Sequence, residues 1–333
     1  MAYIPEKVRA TALIQKLTEA GLTHLNSGKT GELFLLPDGN LLIVKTDRLS
    51  IFDFVLKGLV PRKGEVLTRM PVEWLTRGIL PTDEYAGHHL LAYGEDINQH
   101  LHRKLWSDLD LQSRSIVAKR LSTPSIECIA RGYLTGTGYK AYLQSGIVCG
   151  HQLPPGMHDG SKLPRAIFAP TTKAAVGHDE HVDYLSVRIS HGITPENVTL
   201  ALYNAASAYA LKRGIIIADT KLELGPNGEV IDEAFTPDTS RFWPEEAWKA
   251  AQAKNPPKSP IGFDKQFIRE WGDAIVTPFF DKDGAQIIGI GNLDPTDANH
   301  VLFVSGIEVP DEVLEKTSGL YQQGLSMLFD VTI

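Results

Sequence analysis

Residues 215–243, IIIADTKLELGPNGEVIDEAFTPDTSRFW, decide how the rest of the chain is read. The run Ile215-Ile216-Ile217-Ala218 has the composition of a buried strand, and it passes without a break into Asp219, Lys221 and Glu223 at alternate positions. Side chains on a strand alternate between its faces, so these three share one face. Asn227-Gly228 is a strong two-residue hairpin signal. If it turns the chain, Gly225 pairs with Val230, Leu224 with Ile231 and Glu223 with Asp232. Two carboxylates directly opposed in a sheet repel unless a cation lies between them. Carboxylate oxygens suit magnesium, which takes one or two protein carboxylates together with substrate phosphates, so the hairpin points to a nucleotide site. The plainer alternative is a solvated hairpin with scattered charges. Beyond it, Arg241 follows Thr239 in TPDTSRFW, a turn-like segment in which a guanidinium fork suits phosphate or carboxylate. The alternative there is a salt bridge to Asp238 that only fixes the loop.

The whole chain is long enough for two moderate cores: 333 residues, 43% hydrophobic, against domains of ~100–200 residues. Its 33 Lys and Arg against 40 Asp and Glu leave a formal charge of -7, which argues against tracking a nucleic-acid backbone. Cys128 and Cys149 form no C-x-x-C pair, so no disulfide framework or thiolate metal site is indicated and a reducing cytoplasm fits. The N-terminal stretch to Gly21 reads as an amphipathic helix rather than a signal peptide. Charged, Gly or Pro positions interrupt every apolar run, so no membrane span is expected.

Leu33–Leu36, the turn Pro37-Asp38-Gly39-Asn40 and Leu41–Lys45 predict an antiparallel hairpin. Phe54–Val60 and Leu90–Tyr93 are further strands, Ser107–Lys119 is expected to be helical, and Ser122-Thr123-Pro124 offers a lobe boundary. Beyond it, Ile126–Ala130 is a strand, Tyr139–Gln144 begins a helix and His151–Pro170 is expected to be a long loop. Thr199–Lys212 is helical and stopped by Gly214, and Pro310–Phe329 has near-helical spacing.

Other polar groups carry weaker signals. Gly28-Lys29-Thr30 resembles the end of a P-loop, but the first glycine would fall at Thr23; a lysine in such a turn still approaches phosphates as a point charge. Thr46–Asp53 places Asp47, Ser50 and Asp53 just beyond an apolar strand, where ligand-contacting loops lie. Glu127 and Arg131 flank an apolar strand, and the amides of Gly136-Thr137-Gly138 ahead of a helix suit an anion. The same turn, extended to Ala141, mimics a dinucleotide fingerprint and supports a rival oxidoreductase reading. The acidic residue expected ~20 positions on would be Asp159, inside a Pro/Gly stretch, and repeated βαβ units are absent. His178-Asp179-Glu180-His181 does not match a helical zinc motif and suits a substrate-orienting loop, with Lys173 nearby.

Taken together, KTDRLSIFDFVL, PRKGEVLT, IECIARGYLTGTGYKAY, KLPRAIFAPTTKAAVGHDEHV, IIIADTKLELG, VIDEAFTPDTSRFW and FDKQFIREW occur in an order that resembles the SAICAR synthetase family. The resemblance spans most of residues 28–272 and returns at the tail. It implies an α+β, two-lobed fold: a kinase-like antiparallel N-terminal lobe, residues 1–122, covering ATP, and a larger ATP-grasp-related C-terminal lobe, residues 123–333, with the metal and substrate sites. It also implies ATP-dependent, magnesium-dependent ligation of carboxyaminoimidazole ribonucleotide with L-aspartate. The alternative is a diverged relative joining another acid or amine, or binding nucleotide without turnover.

By the same resemblance Lys29 would contact ATP phosphates, and Glu223 and Asp232 would hold magnesium. Arg131, Thr137 and Arg241 would bind the imidazole nucleotide, with Ser50 and Asp53 lining its neighbourhood. Asp219 and Lys221 would place substrate or aspartate, and Lys173, His178 and Asp179 belong to a loop near the reacting groups. Three features depart from the family pattern. Gly31 stands where a second basic residue is usual, Ile51 replaces a small residue and is expected to narrow the pocket or shift Asp53, and residues 273–305, with a hairpin at Asp281-Lys282-Asp283-Gly284, interrupt the tail.

Overall fold

The computed structural model describes residues 3–173 and 180–333. After α1 (Thr11–Glu19) come β1 (Thr23–Ser27), β2 (Gly31–Leu35) and β3 (Leu41–Lys45), an antiparallel meander. The chain then leaves this sheet for a separate hairpin, β4 (Arg48–Ile51) and β5 (Phe54–Leu59), and for helix α2 (Lys63–Thr76). It returns through β6 (Leu90–Tyr93), α3 (Leu109–Ser113) and β7 (Ser115–Ala118), completing a sheet of order β1-β2-β3-β7-β6. Alternation along β2 and β3 turns Phe34, Leu42 and Val44 onto Leu17 of α1, Val117 and Ile97. The expected helix over Ser107–Lys119 is therefore wrong in its second half. Ile116 and Val117 are hydrogen-bonded to β3 on one side and β6 on the other, and pairing on both edges overrides weak local helical spacing.

The second sheet is built from β8 (Ile126–Leu134), β11 (Ser161–Phe168), β12 (Thr171–Thr172), β13 (Ile215–Leu224), β14 (Val230–Ile231) and β15 (Ser240–Pro244). Helix α4 (Gly136–Ser145) and the short strands β9 (Ile147–Val148) and β10 (His151–Gln152) lie between β8 and β11, and α5 (Tyr184–His191) and α6 (Thr194–Leu211) precede β13. Strands β8 and β13 are central and antiparallel, with β11 and β12 along the outer side of β8 and β15 and β14 along that of β13. The expected loop over His151–Pro170 thus contains a strand. Pro164 interrupts its pattern, and the register of β11 breaks between Lys162 and Ile167, as an edge strand tolerates. Gly132 of β8 lets the Tyr203 hydroxyl of α6 pass to the Ile217 carbonyl at 2.6 Å.

The remaining helices are α7 (Glu245–Gln252), α8 (Gln266–Asp273), α9 (Ala298–Gly306) and α10 (Asp311–Phe329), with the hairpin β16 (Val276–Phe280) and β17 (Gln286–Ile288) between α8 and α9. Helix α10 shares one core with α2, α6 and the second sheet. Trp74 of α2 meets Phe329 edge-on at 4.8 Å and Tyr209 at 5.5 Å. Residues 273–305 close over the β4–β5 hairpin, where Leu49, Ile51, Phe54 and Leu56 pack with Ile268, Ile290, Leu293 and Val304. Ile51 therefore fills an apolar core instead of narrowing a polar pocket. A Cβ on Gly272 would stand 2.6 Å from its Cδ1, so Gly272 makes the room. Among the described residues no helix is long and apolar enough to cross a membrane.

Candidate active site

Strand β13 carries Asp219, Lys221 and Glu223 along one face, but the hairpin after it differs from the expectation. Glu223 pairs with Ile231 and Leu224 with Val230, one residue out of the predicted register. The loop has three residues, Pro226-Asn227-Gly228, closed by Gly225 N–H donating to the Glu229 carbonyl at 2.7 Å, with Gly228 at φ +97. A turn followed by a left-handed glycine is the usual three-residue hairpin, and Glu229 reinforces it by accepting from Asn227 N–H. Glu223 and Asp232 are consequently not directly opposed. Asp232 lies just past the strand with φ 54.

Lysines neutralise these carboxylates. Lys173 Nζ bonds Glu223 Oε2 at 2.6 Å, and Lys221 Nζ bonds Glu127 Oε1 at 2.6 Å. Lys45, at the end of β3, reaches across from the first sheet to Asp232 Oδ1 at 3.0 Å and Glu233 Oε1 at 2.7 Å. Burial alone would raise the pKa of Asp232, but Lys45 outweighs it and holds the carboxyl down to about 2. The positive charge of Lys173 acts in the same direction. Backbone bonds from His89 N–H to the Val230 carbonyl and from Val230 N–H to the Gly87 carbonyl, both 3.0 Å, tie the segment before β6 to β14 and set this crossing. His89 itself is buried, which keeps its imidazole neutral, down to about 4, and its Nε2 has no partner among the described residues.

At the other end of the same face, Asp219 is 4% exposed and pairs with Arg131 across β8–β13. Its Oδ2 accepts from Arg131 Nη1 at 2.7 Å and Arg241 Nη1 at 2.6 Å. The Asp238 salt bridge considered for Arg241 is not formed; Asp238 instead accepts from Lys63, Lys265 and Tyr321 at 2.7–2.9 Å. Arg131 also donates to Thr137 Oγ1 at 3.1 Å, while its buried Nε has no partner among the described residues. Gly136, at φ +56, and Gly138 begin α4, and side chains there would collide with Arg241 and crowd Arg131. Arg269 adds a third guanidinium to this field, and buried Asp264 beside it has its carboxyl pushed up to about 6 by desolvation. A helix N-terminus and three guanidiniums against two acids leave surplus positive charge, the setting for an anionic ligand.

A second group sits on the loop between β1 and β2. Lys29 forms an ion pair with Asp53, which follows Phe52 in a two-residue turn where both have positive φ, 49 and 67. Ser50 is buried in β4. His178 and Asp179 lie outside the described residues. Sequence reasoning missed Lys45, Glu233, His89, Lys63, Asp238 as a lysine partner, Lys265 and Arg269. Lysine at the polar end of an apolar strand was the one local signal for Lys45, and FDKQFIREW held Lys265 and Arg269 unread.

Residues 24–283 match the protein family described as SAICAR synthetase. The chain is 39% identical over 328 residues to the phosphoribosylaminoimidazole-succinocarboxamide synthase of Thioalkalivibrio sulfidiphilus, covering 94% of this chain and 98% of that protein. It is 41% identical over 265 residues to the enzyme of the same name from Streptomyces avermitilis, covering 77% and 83%. Among solved structures, SAICAR synthase from Saccharomyces cerevisiae complexed with SAICAR is similar at a TM-score of 0.72 and 27% identity, over 94% of this chain and 96% of that one.

Proposed function

From the premise that this chain belongs to the SAICAR synthetase family, we infer that it joins carboxyaminoimidazole ribonucleotide to L-aspartate with ATP, giving SAICAR, ADP and phosphate in de novo purine biosynthesis. A bare carboxylate has no leaving group. Transfer of the terminal phosphoryl group of ATP to it makes an acyl phosphate, whose carbonyl the aspartate amine attacks as phosphate departs. No protein nucleophile is required, so positioning and charge neutralisation carry the rate. Relatives matching most of this chain carry the same activity in their names, which favours turnover over a diverged scaffold protein.

The observation that carries the reading is the single polar face of β13. From Asp219 to Glu223 it runs about 13 Å at strand rise, from a surplus of guanidinium to a cluster of carboxylates, with Lys221 midway. Arg131, Arg241 and Thr137 hold the phosphate of the imidazole nucleotide, Ser50 and Asp53 line its neighbourhood, and Asp219 keeps the two guanidiniums in place. Lys221 and Lys173 face the reacting groups, and His178 and Asp179 are proposed to serve them as well. Lys29, in the loop between β1 and β2, meets the ATP phosphates.

Glu223 and Asp232 fit a magnesium ion shared with those phosphates. Their donors are oxygens only, and Asp232 is ionised with its side chain 46% exposed. Among the described residues no three His, Cys, Asp or Glu converge as a complete protein cage; an ion held by these two carboxylates would take its other oxygens from water and substrate, as magnesium prefers. Bound there, such an ion would supply positive charge against the phosphoryl group in transfer. Residues 1–122 then form the lobe over ATP and residues 123–333 the lobe with metal and substrate sites. Two buried free cysteines agree with a cytoplasmic setting.

The test is ADP release by the purified protein with magnesium and ATP, with and without carboxyaminoimidazole ribonucleotide and aspartate, with the product weighed by mass spectrometry. Release that needs both substrates and yields the succinocarboxamide is the expected result; ATP binding without any turnover refutes it.

A further inference from the structure

We propose that Lys45 is the second phosphate-binding cation of the nucleotide site, standing in for the basic side chain that position 31 lacks. The proposal rests on the ATP-dependent reading above and adds a residue to it. Strands β2 and β3 pair Gly31 directly with Lys45. A Cβ at position 31 would lie 2.8 Å from the Val44 carbonyl oxygen and 3.5 Å from Lys45 Cδ. The bare glycine and the lysine are thus two halves of one arrangement: position 31 leaves the space, and position 45 supplies the charge across the ladder.

The loop bearing Lys29 is tied to the same place. Thr46 donates to the Thr30 carbonyl through both its N–H at 2.7 Å and its hydroxyl at 2.9 Å, so the two lysines are carried by one hydrogen-bonded unit. Lys45 borders a small gap, about one water in size, together with Ile43, Leu67, Ile116, Asp232 and Glu233. An ammonium has three donors; among the described residues two are taken, by Asp232 and Glu233, which leaves one for a ligand oxygen. Glu233 is itself fixed by the Thr236 hydroxyl at 2.9 Å, so it anchors the ammonium independently of Asp232. Lys45 and Lys173 face Asp232, Glu233 and Glu223, a net charge of minus one by count. A divalent cation reverses that sign and makes the cluster receptive to phosphate.

The experiment compares wild type, Lys45→Met and Lys45→Arg by titration calorimetry with ATP and with adenosine, both at saturating magnesium. Lys45→Met is expected to weaken ATP about 10- to 100-fold, the worth of one charged hydrogen bond, with adenosine within twofold of wild type. A purely structural role would weaken both ligands alike, and a mere counter-ion role would leave ATP unchanged while tightening magnesium; either result overturns the proposal. If Lys45→Met does not fold, Lys45→Arg carries the test: a threefold or larger change for ATP with adenosine unmoved supports the role, and no change overturns it. Failure of the wild type to bind ATP at all would instead remove the ligase reading on which the proposal stands.

Discussion

Replacing Asp219 by asparagine probes the guanidinium cluster most sharply. The substitution keeps the shape and removes one charge from a carboxylate that is 4% exposed and accepts from two arginines at 2.7 and 2.6 Å. Burial alone would raise the pKa of Asp219, but Arg241 and then Arg131 outweigh it and hold it below the ordinary carboxylate value. Taking one partner from such a buried set costs about 3–5 kcal/mol because the remaining charges lose their compensation. At roughly 2–3 °C per kcal/mol for a chain of this size, the melting temperature should fall by roughly 6–15 °C. Because the folded pKa is depressed, the charge contributes fully above the unfolded carboxyl value of about 3.9, and its contribution is lost as pH falls through the folded pKa. The deficit of Asp219→Asn is therefore complete at neutral pH and closes only in acid, below about pH 4. A bound phosphate puts negative charge against the same guanidiniums, so saturating inorganic phosphate should raise the melting temperature of the variant more than that of wild type. Scanning calorimetry at pH 7 and in acid, with and without phosphate, reads all three effects. A melting temperature at pH 7 indistinguishable from wild type would refute the claim that Asp219 compensates the pair.

Three further outcomes follow from the geometry. Asp232→Asn should lower magnesium-dependent turnover by about 100-fold while the protein still melts cooperatively, since the side chain is 46% exposed; full activity across a magnesium titration would sink the metal assignment. Arg241→Lys loses the planar fork and should raise KM for the imidazole nucleotide about 10- to 100-fold with KM for ATP within twofold; equal changes in both contradict the anion role. Trp74→Ala removes a fully buried ring that joins α2 to Tyr209, Phe235 and Phe329 and should cost about 3–5 kcal/mol in urea unfolding; an unchanged midpoint would mean that α2 does not share the core of the second sheet.

Much of the fold was legible because short-range periodicity reports it. Alternation around Pro37-Asp38-Gly39-Asn40 marked the β2–β3 hairpin, the spacing before Gly214 marked α6, and the alternate charges of Ile215–Leu224 put Asp219, Lys221 and Glu223 on one face. The order of motifs brought out the family. Where the reading failed, the deciding partner lay far along the chain. Ser115–Ala118 is a strand because β3 and β6 pair with it from both sides, and Ser161–Phe168 is one because β8 offers it an edge. The hairpin after β13 slipped by one residue because Glu229 and the left-handed Gly228 stabilise a three-residue loop. The partners of the charged side chains were hidden for the same reason. Lys45 meets Asp232 and Glu233 at sequence separations of 187 and 188, and Arg131 meets Asp219 at 88. By itself the sequence determined which residues face the same way along each element, since that phase follows from the geometry of a strand or helix. Only the tertiary structure decided which faces meet, because that depends on how whole sheets and helices close around a shared core.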